Sequence, residues 1–138
     1  MFKNIENFIR GKVLFDEPMS KHTSYGIGGP ARAYITPSDK EDLKSILKYS
    51  TENNLPAFFV GSGSNLLVSD EGIDGLVITL GRSFNNLKIN NNKVFAQTGV
   101  MLGKMVKECI KRNLSGVESL VGVPGTLGGA LIMNAGAF

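Results

Sequence analysis

Val60-Gly61-Ser62-Gly63-Ser64-Asn65-Leu66-Leu67 is the stretch on which the reading of this chain turns. An apolar run, Ala57-Phe58-Phe59-Val60, leads into it, and Leu66-Leu67-Val68 leads out. The pattern predicts a tight loop between two strands. Gly61 and Gly63 permit positive φ and leave no side chain over the backbone. Successive N–H groups in such a turn can face one concavity and hold an anion, most often phosphate. Ser62, Ser64 and Asn65 add side-chain donors. The same residue types also build ordinary polar turns, so composition alone leaves both readings open. A dinucleotide fingerprint would need glycine where Leu66 stands and a helix after it. A Walker loop would need Gly-Lys-Ser/Thr, which occurs nowhere in the chain. Phosphate bound here would therefore sit on a loop between strands, not on a helix N-terminus.

The chain has 138 residues, enough for one domain or two small lobes. Its hydrophobic share of 42% and charged share of 20% exclude a disordered chain. Its 17 glycines exceed the usual share and gather in three clusters, residues 26–29, 61–63 and 116–136. That clustering favours backbone lying close to a ligand over a flexible linker. A net charge of +3 helps attract phosphate-bearing ligands but falls short of a nucleic-acid signature. The single cysteine, Cys109, excludes an internal disulfide and any multi-cysteine metal site. No run of 18 apolar residues predicts a membrane span. The N-terminus lacks the continuous apolar core of a secretory signal, so a cytoplasmic protein is the expectation.

Working outward, Phe2, Ile5, Phe8 and Ile9 have helical spacing, which predicts a helix over residues 1–10 ending at Gly11. Val13-Leu14-Phe15 is too short to assign. Residues 16–21 are polar, contain Pro18 and read as loop. His22-Thr23-Ser24-Tyr25-Gly26-Ile27-Gly28-Gly29-Pro30-Ala31 has no period, and its glycines and proline exclude a helix interior. It reads as a structural or a ligand-facing loop. His22 is the single histidine, and no Ser, Cys or Asp is placed in sequence to form a triad with it.

Residues 32–36 read as a strand. A helix then runs to about Glu52, with Ser38 as N-cap, Glu41 as its capping-box partner and Leu43, Ile46 and Leu47 facing the core. With residues 57–60 as the next strand, residues 34–60 form a βαβ-type unit. The loop after Val60 then lies at the C-terminal end of a strand, where open α/β sheets usually bind ligands. Residues 66–68 read as a short strand and 75–80 as a buried one. Asp70, Glu71 and Asp74 read as solvated turn carboxylates, since no EF-hand pattern surrounds them. Residues 90–93 read as a hairpin turn between 87–89 and 94–96. This combination predicts an α+β fold. Residues 102–113 read as a helix with Leu102, Met105, Val106, Cys109 and Ile110 on its core face. Cys109 is expected to be a buried, inert thiol. Pro124 and Thr126 predict a helix start near residues 125–127. A helix opening on Gly128, Gly129 and Ala130 presents so little bulk that a ligand or another backbone must lie close.

Taken together, four segments resemble the FAD-binding part of the UDP-N-acetylenolpyruvoylglucosamine reductase family. They are Thr23-Ser24-Tyr25-Gly26-Ile27-Gly28-Gly29-Pro30-Ala31, Gly61-Ser62-Gly63-Ser64-Asn65-Leu66-Leu67, Gly122-Val123-Pro124-Gly125-Thr126-Leu127-Gly128-Gly129-Ala130 and Asn134-Ala135-Gly136-Ala137-Phe138. Each is weak singly; their order and spacing together are specific.

The resemblance implies an α+β, two-lobed FAD-binding fold of the vanillyl-alcohol-oxidase/CO-dehydrogenase-flavoprotein type, without a dinucleotide-binding helix. It places the first lobe in residues 1–81 and the start of a second, incomplete lobe in residues 82–138. It implies that Val60, Gly61, Ser62, Gly63, Ser64, Asn65 and Leu66 wrap the FAD pyrophosphate. Val121, Gly122, Val123, Pro124, Gly125 and Thr126, with Gly128 and Gly129, pass along the flavin. Tyr25, Gly26, Ile27 and Gly28 touch the cofactor, and Asn134 and Gly136 belong to the same site. The first phosphate loop holds no His or Cys, so FAD is expected to be non-covalent.

In the family's reaction NADPH reduces the flavin. The flavin then reduces enolpyruvyl-UDP-N-acetylglucosamine to UDP-N-acetylmuramate for peptidoglycan synthesis. The family's catalytic Arg, Ser and Glu and its substrate domain lie beyond Phe138. No catalytic residue is therefore expected in this chain, nor turnover by it alone. The exposed Leu131-Ile132-Met133 predicts self-association or poor solubility. The rivals are a stand-alone flavin- or nucleotide-binding module, and a nucleic-acid-binding domain with steep salt dependence. The absence of a basic stripe opposes the latter.

Overall fold

The computed structural model describes residues 4–136. A four-stranded sheet comes first, built from β1 (Lys12–Pro18), β2 (Pro30–Thr36), β3 (Ala57–Val60) and β4 (Ile73–Thr79) in the order β1-β2-β4-β3. β1 runs antiparallel to β2, while β2 and β3 both pair parallel with β4. The central strand β4 carries Leu76, Val77 and Ile78, all fully buried. A continuous apolar run of this kind suits a strand covered on both faces. On one face α1 (Lys40–Glu52) sets Ile46 and Tyr49 into a core with Ile35, Leu76 and Ile78. On the other, Met19, Tyr34, Val68 and Val77 pack together. β2, α1 and β3 thus form the expected βαβ-type unit, with β4 inserted between its two strands.

A second sheet follows, the hairpin β5 (Leu87–Asn90) and β6 (Lys93–Ala96), closed by Asn91 at φ +53. α2 (Leu102–Lys111) buries Leu102, Met105 and Cys109 against it, so the thiol is internal as expected. α3 (Leu127–Ile132) ends the described chain.

Several expectations need correction. Of the helix predicted over residues 1–10, residues 1–3 lie outside the described chain. The rest forms only the 3-10 turn Ile5–Asn7. The Asp42 carboxylate accepts from the backbone N–H of Arg10 at 2.9 Å and of Gly11 at 2.8 Å, which fixes where the chain turns into β1. Those amides are taken out of any helix, and the chain enters β1 directly. Asp16 and Pro18, read as loop, belong to this strand; it lies at the sheet edge, where proline is tolerated. Asp39, not Ser38, caps α1, accepting from Asp42 N–H at 2.9 Å. Ser38 is diverted, since its N–H and Oγ both donate to Asp42, at 2.7 and 3.1 Å. Leu47 and Ile110 sit at 36% and 51% exposure rather than in the core. Residues 66–68 are not a strand.

Asp42 is thus a buried carboxylate that ties the N-terminal segment to α1. Burial pushes its pKa up, but the hydrogen bonds from Ser38, Arg10 and Gly11 outweigh that and hold it below the usual carboxylate range. Asp42→Ala is expected to cost about 2–4 kcal/mol, because it strands several amides at once. The depressed value means that the stabilisation is fully present above about pH 4, the range of an unfolded aspartate. It fades as pH falls through the lower folded value. Urea denaturation of wild type and Asp42→Asn at about pH 7 and about pH 3 checks this. The stability gap between the two proteins should narrow in acid.

Candidate functional site

β3 ends at Val60 and the chain turns at Gly61, at the C-terminal edge of the parallel strands. Residues 66–68 do not pair as a strand, because Leu66 and Val68 turn inward onto Met19, Tyr34 and Val77. The loop is held from beneath by that packing. It is also held from the side. Gly63 has φ +71, and a Cβ there would collide with the His22 carbonyl oxygen. The Gly63 carbonyl in turn accepts from Ser24 N–H at 3.0 Å. Glycine is required here by a loop-to-loop contact as much as by any ligand.

The second glycine-rich stretch is stitched to α2 and the segment before it. Leu102 N–H donates to Gly125 O at 2.9 Å, Leu127 N–H to Val100 O at 2.7 Å, and Gly128 N–H to Thr98 O at 2.8 Å. Thr126 caps α3, its Oγ1 accepting from Gly129 N–H at 3.3 Å. These bonds bring the stretch against the first loop. A Cβ on Gly61 would stand 2.6 Å from Thr126 Oγ1, and one on Gly125 would stand 3.2 Å from Ser64 Oγ.

A cavity of about 650 Å³ lies between the two stretches. Val60, Gly61, Ser62, Gly63, Ser64, Asn65 and Leu66 line it, with Val123, Pro124, Gly125, Thr126, Gly128 and Gly129 opposite. Tyr25, Gly26, Ile27, Gly28, Val121, Gly122, Asn134 and Gly136 do not line it. The tip carrying Tyr25 and Ile27 points outward, at 66% and 52% exposure, although its base is bonded to Gly63. Sequence reasoning missed Phe59, Leu80, Gly81, Thr98, Gly99, Ala130, Ile132, Met133 and Ala135. Leu80 and Gly81 follow β4 at the same sheet edge as the loop, so the edge rule pointed to them. Nothing local marks Thr98 and Gly99.

The donor set suits an anion with an apolar neighbour. None of the backbone N–H groups of residues 62–66 donates to a protein acceptor among the described residues. The Ser62 and Ser64 hydroxyls stand 3.4 Å apart beside them. Among the described residues no carboxylate lines the cavity, while Phe59, Leu66, Leu80, Val123, Ile132 and Met133 give it apolar wall. Phosphate oxygens are held by such amides, and a flat ring system by such walls. The residues present therefore fit a dinucleotide carrying a flavin. Neither potential attachment point, His22 or Cys109, lines the cavity. Among the described residues no cluster could hold a metal ion.

Comparison with known proteins matches this geometry. A family model described as "FAD binding domain" covers residues 31–138, and the chain belongs to that family. Its curated relatives are more specific. UDP-N-acetylenolpyruvoylglucosamine reductase of Alkaliphilus oremlandii is 46% identical over 126 residues, which are 91% of this chain and 41% of the relative. The same-named protein of Clostridioides difficile is 43% identical over 139 residues, 100% of this chain and 46% of its own. The crystal structure of UDP-N-acetylenolpyruvylglucosamine reductase from Thermus caldophilus superposes with a TM-score of 0.72 at 35% identity. The match covers 94% of this chain and 44% of that one. Cholesterol oxidase from Brevibacterium sterolicum gives 0.71 at 16% identity over 93% of this chain and 25% of its own, a likeness of fold alone. The chain spans less than half the length of these relatives. The expected fold class and the expected family resemblance both hold.

The close approach of Gly61 to Thr126 yields a test. Gly61→Ala should push the two stretches apart and weaken FAD binding about tenfold, a loss of about 1.4 kcal/mol. Adding Thr126→Ala removes the obstructing oxygen and should recover part of that loss. The recovery should come despite the lost helix cap, worth about 1 kcal/mol of stability. Flavin-fluorescence titrations of the single and double variants, with urea midpoints as folding control, measure the coupling.

Proposed function

We propose that this chain forms the FAD-holding part of a UDP-N-acetylenolpyruvoylglucosamine reductase acting in peptidoglycan synthesis. The observation that carries the reading is the run of amides at residues 62–66, without a protein acceptor among the described residues, in a loop that lines a cavity opposite a second glycine-rich stretch. The name shared by relatives at 43–46% identity favours it over a stand-alone flavin-binding module.

In this reading the residue 62–66 amides and the Ser62 and Ser64 hydroxyls hold the diphosphate. Val123, Pro124, Gly125 and Thr126, with Gly128 and Gly129, lie along the isoalloxazine. The family resemblance assigns Tyr25, Gly26, Ile27, Gly28, Val121, Gly122, Asn134 and Gly136 to the cofactor as well, from outside the cavity lining. The apolar wall of Phe59, Leu80, Ile132 and Met133 excludes water from the ring. Bound flavin supplies a two-electron carrier between NADPH and the enolpyruvyl carbon of the UDP-sugar. This chain's share is binding, orientation and exclusion of water, and no residue in it is assigned a proton-transfer role. We place the enzyme in the cytoplasm. Among the described residues no helix is long and apolar enough to cross a membrane. Leu131, Ile132 and Met133 stand 70%, 86% and 58% exposed, which favours concentration-dependent self-association of the chain.

Visible absorbance after incubation with FAD and desalting tests the reading. The expected outcome is a retained flavin spectrum that acid releases into solution, since no attachment residue lines the cavity. A protein that stays colourless overturns the assignment of the site to this chain. A flavin that remains on acid-precipitated protein overturns non-covalent binding. With NADPH and the enolpyruvyl substrate the chain alone should form no UDP-N-acetylmuramate. Product formation would show that catalytic groups are present after all.

A further inference from the structure

We propose that His22 is a positioning residue for the phosphate-binding loop, its side chain anchoring the segment that holds the Gly63 turn. The inference deepens the proposed function and rests on it for the identity of the ligand.

His22 ends the 3-10 turn Met19–His22 that follows β1. Its side chain is only 25% exposed. The imidazole lies flat on Tyr34 of β2, with ring centroids 4.0 Å apart and planes 19° from parallel. Its Nε2 meets Glu17 Oε1 of β1 at 3.0 Å. The ring is therefore fixed by two strands of the main sheet. The backbone of the same residue is fixed to the loop. Its carbonyl oxygen is the atom that bars a side chain at Gly63, and Ser24 N–H, two residues on, donates to Gly63 O. Thr23 Oγ1 donates to Ile27 O at 2.8 Å and so anchors the Tyr25–Gly28 tip to the same point. One residue thus joins the sheet, through its side chain, to the anion-binding turn, through its main chain.

Glu17 faces the ring from β1, and Lys21 stands beside Glu17 with Nζ 3.5 Å from the carboxylate. The hydrogen bond from His22, with the Lys21 charge, holds the Glu17 carboxyl below the usual carboxylate range, so the ring's acceptor on β1 stays ionised through neutral pH. The segment that closes on Gly63 is thereby anchored to β1 and β2 by the one side chain of His22.

Two measurements test this on the 138-residue chain. In fluorescence titrations His22→Ala should bind FAD about threefold more weakly than wild type. His22→Phe keeps a flat ring over Tyr34 without the Glu17 bond, and should recover part of that loss. Hydrogen exchange should find the Ser24 amide about tenfold less protected in His22→Ala than in wild type, with the amides of β4 unchanged as folding control. FAD affinity equal in wild type and His22→Ala overturns the link from this anchor to the anion site. Unchanged Ser24 protection in His22→Ala overturns the positioning role. Were wild type to take up no FAD, the flavin reading would fail while Ser24 exchange still decided the positioning role.

Discussion

The backbone amides of residues 62–66, which find no protein acceptor among the described residues, are the constraint around which this molecule is arranged. Protein backbone donors are nearly always paired, and those that are not must be held in place by something else. Here three separate restraints do so. Val60 is paired in β3, and Leu66 and Val68 are packed beneath the sheet edge. The turn between them is pinned by His22 and Ser24. A loop free to relax would turn its amides onto its own carbonyls. This one is fixed at both ends and in the middle, and its residues line the cavity. The Thr126 side of the cavity follows from the same arrangement, because the second stretch can approach only where Gly61 offers no side chain.

Much of this was legible from residue pattern. The apolar runs of β3 and β4, the helical periods of α1 and α2, and the Asn-rich hairpin turn are local signals, and each produced its element. What escaped was non-local. Asp42 reaches back 32 residues to take the Arg10 amide and so fixes the entry into β1, a tie that nothing in residues 1–10 signals. Ser38 and Asp39 are both good caps by residue type. The choice falls to Asp39 because Ser38 is diverted to the Asp42 carboxylate. Leu66-Leu67-Val68 has strand composition, yet Val68 goes into a core rather than onto a ladder.

The candidate site divides in the same way. Its two glycine-rich stretches are contiguous in sequence and visible as such. The walls supplied by Leu80, Gly81, Thr98 and Gly99 arrive by chain return, from segments whose sequence carries no ligand signature. Tyr25 and Ile27 illustrate the converse. A glycine-flanked aromatic looks ligand-facing in sequence, but the bonds at Thr23 and Ser24 fix only the base of that loop and leave its tip turned outward.

A site built from main-chain donors also changes what glycine means in it. At Gly61 and Gly63 the space a Cβ would need is filled by protein, Thr126 in one case and His22 in the other. At Gly122 that space is open, and the residue's φ of +84 is the reason for glycine. The first kind sets the distance between the two halves of the cavity, and the second sets only a local turn. Counting glycines as points of ligand approach merges the two. The structure separates them, and it puts the burden of shaping the cavity on contacts between protein segments. Backbone amides have no rotamers of their own, so the grip of the loop depends on the side chains that fix its main chain. Of those, the His22 imidazole, stacked on Tyr34 and bonded to Glu17, joins the main sheet to the segment that holds Gly63.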